Sequence, residues 1–268
     1  MHCNNLLFAS WNVLGDRFSG KHSVAPDTNK HQDICDIVFS FLNEESTIGS
    51  CVFLQEVEPL LHAALQNSIR TARHHVYFVS HGDSVWPVDA FPWSMTLPRE
   101  WSGSVQNIGN AIVLCVSGAL REPREETYSL DERQSADGKP EGNLVPVLHW
   151  QGRTYVSAHV CNIWSPFSHR RQIQRLRTLI ASNEAGIIIG VDLNNPCLFD
   201  RNGRPGTYNM CCLSLPIDSI LSNLEDLSVL ELWPETIDEQ LSDHTGVKCK
   251  AIISPTKAER CSVTKWEL

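Results

Sequence analysis

The sequence predicts a layered α/β sandwich, two packed mixed sheets flanked by helices, in a single domain spanning residues 1–268. Three observations predict it. Apolar runs of strand length alternate with amphipathic stretches at 3–4 spacing. One run, 51–57, is apolar almost throughout, the pattern of a strand covered on both faces. The two halves are also broadly alike, each reading strand, helix, strand and then further strands, which two sheets packed face to face with helices outside would bury.

Residues 6–13 read as the first strand, followed by a Gly/Asp/Ser-rich loop at 14–30. A helix over 31–42 gathers Ile34, Ile37, Val38, Phe41 and Leu42 on one face. After the 51–57 strand, Pro59 opens a second helix with Leu60, Leu61, Ala64, Leu65 and Ile69 as its apolar face. Residues 75–80 are strand-like. A long loop at 81–107 carries Trp86, Trp93 and Trp101, and loops of such length are often functional. Strand character returns at 110–116, and a charged segment, expected to be mobile, covers 118–142. Runs at 144–150 and 154–160 flank Gln151-Gly152-Arg153, which predicts a hairpin. A helix at about 168–182 and strands at 186–193, 217–221, 227–232 and 244–253 complete the chain.

Composition narrows the function. With 42% hydrophobic residues, a sizeable core forms without metal or disulfide staples. The ten cysteines show no CxxC pair, which favours buried free thiols in a reducing compartment. No stretch approaches the ~18 apolar residues of a membrane span, and the N-terminus lacks the basic start of a secretory signal. An intracellular location follows as an expectation, whether cytoplasm, nucleus or an organelle, with no membrane partner. The formal charge of −9 gives no bulk attraction for nucleic acid, so any such binding must use a local basic stripe.

Polar residues recur where strands should end. They are Asn12, closing Ser10-Trp11-Asn12-Val13; Glu56, in Leu54-Gln55-Glu56; Asp192 and Asn194, in Val191-Asp192-Leu193-Asn194; and Ser242-Asp243-His244. A carboxylate after an apolar strand is costly unless paired or bound to a cation. Taken singly each is an ordinary cap or turn residue.

In this order they resemble the endonuclease/exonuclease/phosphatase superfamily, the metal-dependent fold of DNase I, as do Ser157-Ala158-His159-Val160 and Pro216-Ile217-Asp218-Ser219-Ile220-Leu221. The resemblance runs from residue 6 to about 253. It implies Mg²⁺, with Mn²⁺ as a substitute, held by Glu56 with Asp243 and Asn12. Mg²⁺ takes hard oxygen ligands and keeps several waters, so one or two carboxylates suffice. It further implies that Asp192 orients and deprotonates the attacking water, with Asn194 beside it. His244 contacts the scissile phosphate, steadied by Asp218, and His159 and Asn110 add phosphate contacts.

Two departures stand out. Val191 occupies the place of the family's usual Gly, with Gly190 one position earlier, and Leu14 stands where DNA-repair members tend to carry an acid. Trp11-Asn12-Val13-Leu14-Gly15-Asp16 and Gly109-Asn110-Ala111-Ile112 look more like the deadenylase, nocturnin and Angel branch, which tilts the substrate toward single-stranded RNA.

His169-Arg170-Arg171 with Arg175 and Arg177 is the densest basic cluster of the chain, and Arg171 and Arg175 are candidate phosphate contacts. Trp164 and Phe167, just before it, are candidates to stack bases. The expected activity is 3′-to-5′ exonuclease action on single-stranded RNA. The alternatives are a DNA-repair phosphodiesterase or endonuclease, a phosphatase of inositol phosphates or sphingomyelin, and a silent scaffold.

Overall fold

The structure, a computed structural model, describes residues 5–13, 28–43, 49–69, 73–80, 108–116, 123–131, 133–161, 166–194, 206–210, 213–223, 231–234 and 244–252, and the statements below concern these. In chain order the elements are β1 (Asn5–Asn12), α1 (Thr28–Leu42), β2 (Gly49–Val57), α2 (Pro59–Ser68), β3 (His74–Ser80) and β4 (Gly109–Val116). Then follow β5 (Arg124–Ser129), β6 (Arg133–Gln134), β7 (Pro140–Glu141), β8 (Leu144–Trp150), β9 (Arg153–His159) and α3 (Pro166–Ser182). The last are β10 (Ile187–Asp192), β11 (Gly206–Met210), β12 (Leu213–Ser222), β13 (Glu231–Trp233) and β14 (His244–Ile252).

Two mixed sheets result. One runs β3-β4-β2-β1-β14, with β13 on β14, and the other runs β11-β12-β10-β9-β8-β5. They join where β11 pairs with β14, Thr207 opposite Thr245 and Tyr208 opposite His244. Each sheet holds one parallel pair bridged by a helix: β1 and β2 around α1, and β9 and β10 around α3. The predicted sandwich and its likeness of halves are therefore present.

Side-chain alternation sorts each central strand between layers. Leu6 and Phe8 of β1 and Cys51 and Phe53 of β2 face Tyr155 and Ile188 of the other sheet. Ala9 and Trp11 face outward onto Ile34, Val38 and Phe41 of α1. Ile187, Ile189 and Val191 likewise face Leu176 of α3. Four layers, helix, sheet, sheet, helix, enclose three apolar clusters.

The hairpin at 151–152 has Gln151 at φ 49° and Gly152 at φ 70°, the left-handed pair that lets a two-residue turn follow strand twist. Three expectations are corrected. Residues 118–142, expected as a charged mobile segment with no strand, carry β5, β6 and β7 among their described residues. Their signal is hidden because β5 is a charged sheet edge, a common defence against strand addition. There Glu125 meets His75 of the facing sheet at 2.9 Å, and Thr127 meets the Tyr77 hydroxyl at 2.9 Å. β11 was not expected, and of the strand expected at 227–232 the described residues 231 and 232 belong to β13, while 227–230 lie outside the described residues. Leu60 is about half exposed rather than on the buried face of α2, where Leu61 and Leu65 lie. The 14–30 and 81–107 loops lie almost wholly outside the described residues.

Candidate active site

The C-terminal ends of both parallel pairs point to the same end of the sandwich, where ligands bind in α/β sheets. Alternation brings Asn12, in phase with Phe8 and Ser10, into the space between the sheets. It does the same for His159, in phase with Tyr155 and Ser157, and for Asp192, in phase with Ile188 and Gly190.

Glu56 reaches that space by another route. Its phase is that of Val52 and Leu54, which face the helices. The β2–β4 register shifts between Leu54 and Val57, and Glu56 takes φ 56° in the left-handed region. This bulge turns Val57 into the helix-side cluster and Glu56 toward the facing sheet, within 3.5 Å of His159 Nε2. A non-glycine residue held at such a φ costs of order 1–3 kcal/mol and persists only where its surroundings enforce it.

The side chains then meet across the sheets. Asn12 Nδ2 donates to Asp192 Oδ2 at 2.9 Å, and the Asn194 backbone N–H donates to Asp192 Oδ1 at 2.8 Å. Asn194, itself at φ 47°, donates from Nδ2 to His159 Nε2 at 2.6 Å and to the Val160 carbonyl at 2.9 Å. His159 Nε2 is also 3.5 Å from Asp192 Oδ2. Asn12 and Asp192 are fully buried, and Glu56 and His159 nearly so. Both carboxyl oxygens of Asp192 are thus oriented, one from each sheet.

Asn110 faces the same interior on β4, opposite the bulge, and its amide donates to the Leu144 carbonyl at 3.4 Å. Asp218 is buried on β12, directly opposite Asp192. His244 opens β14, and its backbone pairs with Tyr208. Asp243 and Trp164 lie outside the described residues.

The two arginines part company. Burial and then the Asp131 carboxylate push the Cys161 thiol up to about 12, and Arg171, exposed on α3, partly opposes them. Phe167, one turn earlier, is 90% exposed. Arg175 instead lies 4.9 Å over the Tyr128 ring, a cation–π contact with the sheet.

A buried polar network behind His159 had no sequence signal. Asn143 donates to the His159 carbonyl at 2.8 Å and to Gln172 Oε1 at 3.1 Å. Gln172 Oε1 also accepts from the Cys161 N–H at 2.7 Å, and Gln172 Nε2 donates to Asp131 Oδ1 at 2.7 Å. His169 Nε2 lies 3.0 Å from the Leu193 carbonyl, which ties the start of α3 to the end of β10.

The donor set suits Mg²⁺. Among the described residues no three His, Cys, Asp or Glu side chains form a ready cage. A cation that retains its waters asks for only one or two carboxylates, and Glu56 and Asn12 supply oxygen donors on neighbouring strands. Among the described residues no helix is long and apolar enough to cross a membrane.

No known family profile and no curated protein matches the sequence. Solved structures do match the fold. D. rerio TDP2, humanized by 14 mutations, is 16% identical with a TM-score of 0.55, covering 92% of this chain and 98% of its own. An endonuclease/exonuclease/phosphatase family protein from Leptotrichia buccalis is 14% identical with a TM-score of 0.57, covering 93% and 99%. The endonuclease/exonuclease/phosphatase from Bacteroides vulgatus is 12% identical with a TM-score of 0.59, covering 93% and 99%. This chain has the fold of those proteins.

Proposed function

We propose that the chain is a member of the endonuclease/exonuclease/phosphatase superfamily, an intracellular Mg²⁺-dependent phosphodiesterase that hydrolyses nucleic acid, single-stranded RNA from its 3′ end being the favoured substrate. The observation that carries the reading is the convergence of Asn12, Glu56, His159, Asp192 and Asn194 from four strand ends and two sheets onto one buried polar cluster. Burying a carboxylate, an imidazole and amides together is costly even when they are paired, which makes such a cluster at the strand ends a candidate for chemistry.

In this reading Glu56, Asn12 and Asp243 hold the metal. Bound Mg²⁺ stabilises charge on the phosphoryl and leaving oxygens. Asp192 aligns the attacking water and takes its proton, its carboxylate set by the Asn12 amide and the Asn194 N–H. Asn194 orients His159, and His159, Asn110 and His244 receive the phosphate, with Asp218 steadying His244. Phe167 and Arg171 guide the adjoining strand by stacking and charge. The RNA preference rests on the Trp11-Asn12-Val13-Leu14-Gly15-Asp16 segment and on Leu14 standing where repair members carry an acid.

The test uses single-stranded RNA labelled at its 5′ end, with Mg²⁺ or EDTA, beside matched DNA, duplex and 5′-adduct substrates. A Mg²⁺-dependent ladder shortening from the 3′ end is expected. A released adduct or a cut duplex with intact RNA hands the site to DNA repair. Inactivity on every nucleic acid overturns the proposal and turns attention to small phosphoesters, then to a scaffold.

A further inference from the structure

Beneath the polar cluster lies a second polar layer that the chemistry above does not use. Gln55, fully buried, donates from Nε2 to Ser157 Oγ at 3.1 Å and to the Gly190 carbonyl at 3.3 Å, both on the facing sheet. Ser10 Oγ lies 3.3 Å from the same nitrogen and 3.5 Å from Oε1. The Ser157 hydroxyl donates back across the gap to the Leu54 carbonyl at 2.9 Å.

The spacing is regular. Ser10, Ser157 and Gly190 stand two residues before Asn12, His159 and Asp192, and Gln55 immediately precedes the bulged Glu56. Each of the four strands that ends in the site thus contributes one member to the layer below. The sheets are also pressed together here: a Cβ on Gly190 would lie 2.2 Å from Phe53 Cβ. Below this layer the contact is apolar, through Phe8, Phe53, Tyr155 and Ile188.

Apolar packing is non-directional and tolerates small slips between sheets, whereas buried hydrogen bonds left unmade are costly and therefore enforce one register. We propose that Gln55 is a positioning residue, its amide locking the two sheets in the register that brings Asn12 and Glu56 against His159 and Asp192. The inference rests on the phosphodiesterase reading only for its kinetic readout.

Three variants test it: Gln55→Leu, which keeps bulk and removes the amide; the milder Ser157→Ala; and Leu148→Ala, a deletion in the apolar part of the same intersheet core. Each is measured for kcat and KM on labelled RNA, for thermal stability and by crystallography. Gln55→Leu should lower kcat about 10²-fold, the loss typical of a reacting group displaced by ~1 Å, with KM unchanged. Ser157→Ala should lower kcat about 10-fold, a hydrogen bond's worth of positioning.

Both should open the Asn12 Nδ2–Asp192 Oδ2 contact, 2.9 Å here, beyond hydrogen-bond reach. Leu148→Ala should lose stability and keep kcat. Wild-type kcat, or an intact 2.9 Å contact, in whichever of Gln55→Leu and Ser157→Ala folds overturns the inference. If the wild-type chain hydrolyses nothing, the phosphodiesterase reading falls, and the crystallographic distance alone decides this one.

Discussion

The β1-α1-β2 and β9-α3-β10 units are two versions of one device: a parallel pair, a crossover helix on its outer face, and polar residues at the strand ends. They differ in what they present. The exposed face of α1 carries Gln32, Asp33, Asp36 and Ser40, whereas that of α3 carries Phe167, Arg170, Arg171, Gln174 and Arg177. At the strand ends, the first unit delivers Asn12 and a Glu56 re-aimed by a bulge. The second delivers His159 on an unbulged strand backed by Asn143 and Gln172. The scaffold is shared and the chemistry is not. In the proposed function, oxygen donors for a cation gather on one side and groups for phosphate and strand on the other, so function would reside in the residues placed on the fold rather than in the fold.

The sharpest way to break this division of labour is at Asp192, where the two units touch. Asp192→Asn keeps an acceptor for the Asn194 N–H but cannot take a proton from water. Its kcat should fall about 10²–10⁴-fold, the usual worth of general base catalysis, with the melting temperature little changed. Asn12→Ala, on the other unit, removes an orienting bond to a charged group together with one oxygen donor of the proposed cation site, and should cost about 10–10²-fold. Steady-state kinetics on the labelled RNA check both. Equal losses would mean that Asp192 merely binds, as Asn12 does.

Much of this was legible in the sequence, for stated reasons. Alternation and helical spacing gave away the strands and helices that bury apolar faces, and Gln151-Gly152 announced the hairpin turn. Asn12, Asp192 and Asn194 were visible as polar residues closing apolar runs and His159 through the family resemblance, and they meet. Tertiary devices were not visible. β5 is an edge strand whose charges mask its pairing, and β11 joins the sheets by pairing with the neighbouring β12 on one side and the distant β14 on the other. The bulge at Glu56 leaves no mark in a run that reads as continuous strand. Asp131, Asn143 and Gln172 form a network only because a hairpin, a strand end and a helix come together. Arg175 was read as a phosphate contact from spacing alone, which cannot tell which helical arginine lies over Tyr128.

Stability offers the second contrast. Gly190 and Ser10 hold equivalent places two residues before Asp192 and Asn12, yet only Gly190 lacks room for a side chain, with Phe53 atoms 2.2–2.5 Å from its would-be Cβ. Gly190→Ala should therefore destabilise by ~1–3 kcal/mol through overpacking, and each kcal/mol lowers Tm by about 2–4 °C in a chain of this size class. Ser10→Ala loses a long hydrogen bond and should cost ~1 kcal/mol or less. Thermal melts separate the two, and a Gly190→Ala protein as stable as the wild type would mean that the sheets can part without cost at this layer.

The smallest effects lie on the helix faces, and there the contrast between the units can be drawn most finely. Phe167→Ala with Arg171→Ala should raise KM about 5- to 10-fold, the low end of base stacking for one exposed ring. It should also reduce the slope of log affinity against log salt by about 0.7, the share of one phosphate contact on a single strand. Asp33→Ala with Asp36→Ala on α1 should leave that slope where it was, because in the proposed function that face meets no substrate. Arg175→Gln divides the two roles within α3 itself. Its guanidinium is engaged over Tyr128, so its loss should cost ~0.5–1 kcal/mol of stability and no salt dependence. Salt titrations of binding, set beside urea melts, distinguish a charge that touches substrate from one that braces the sheet. A salt slope that changes with Arg175→Gln and not with Arg171→Ala would place the strand along the Tyr128 edge of α3 rather than over its exposed face.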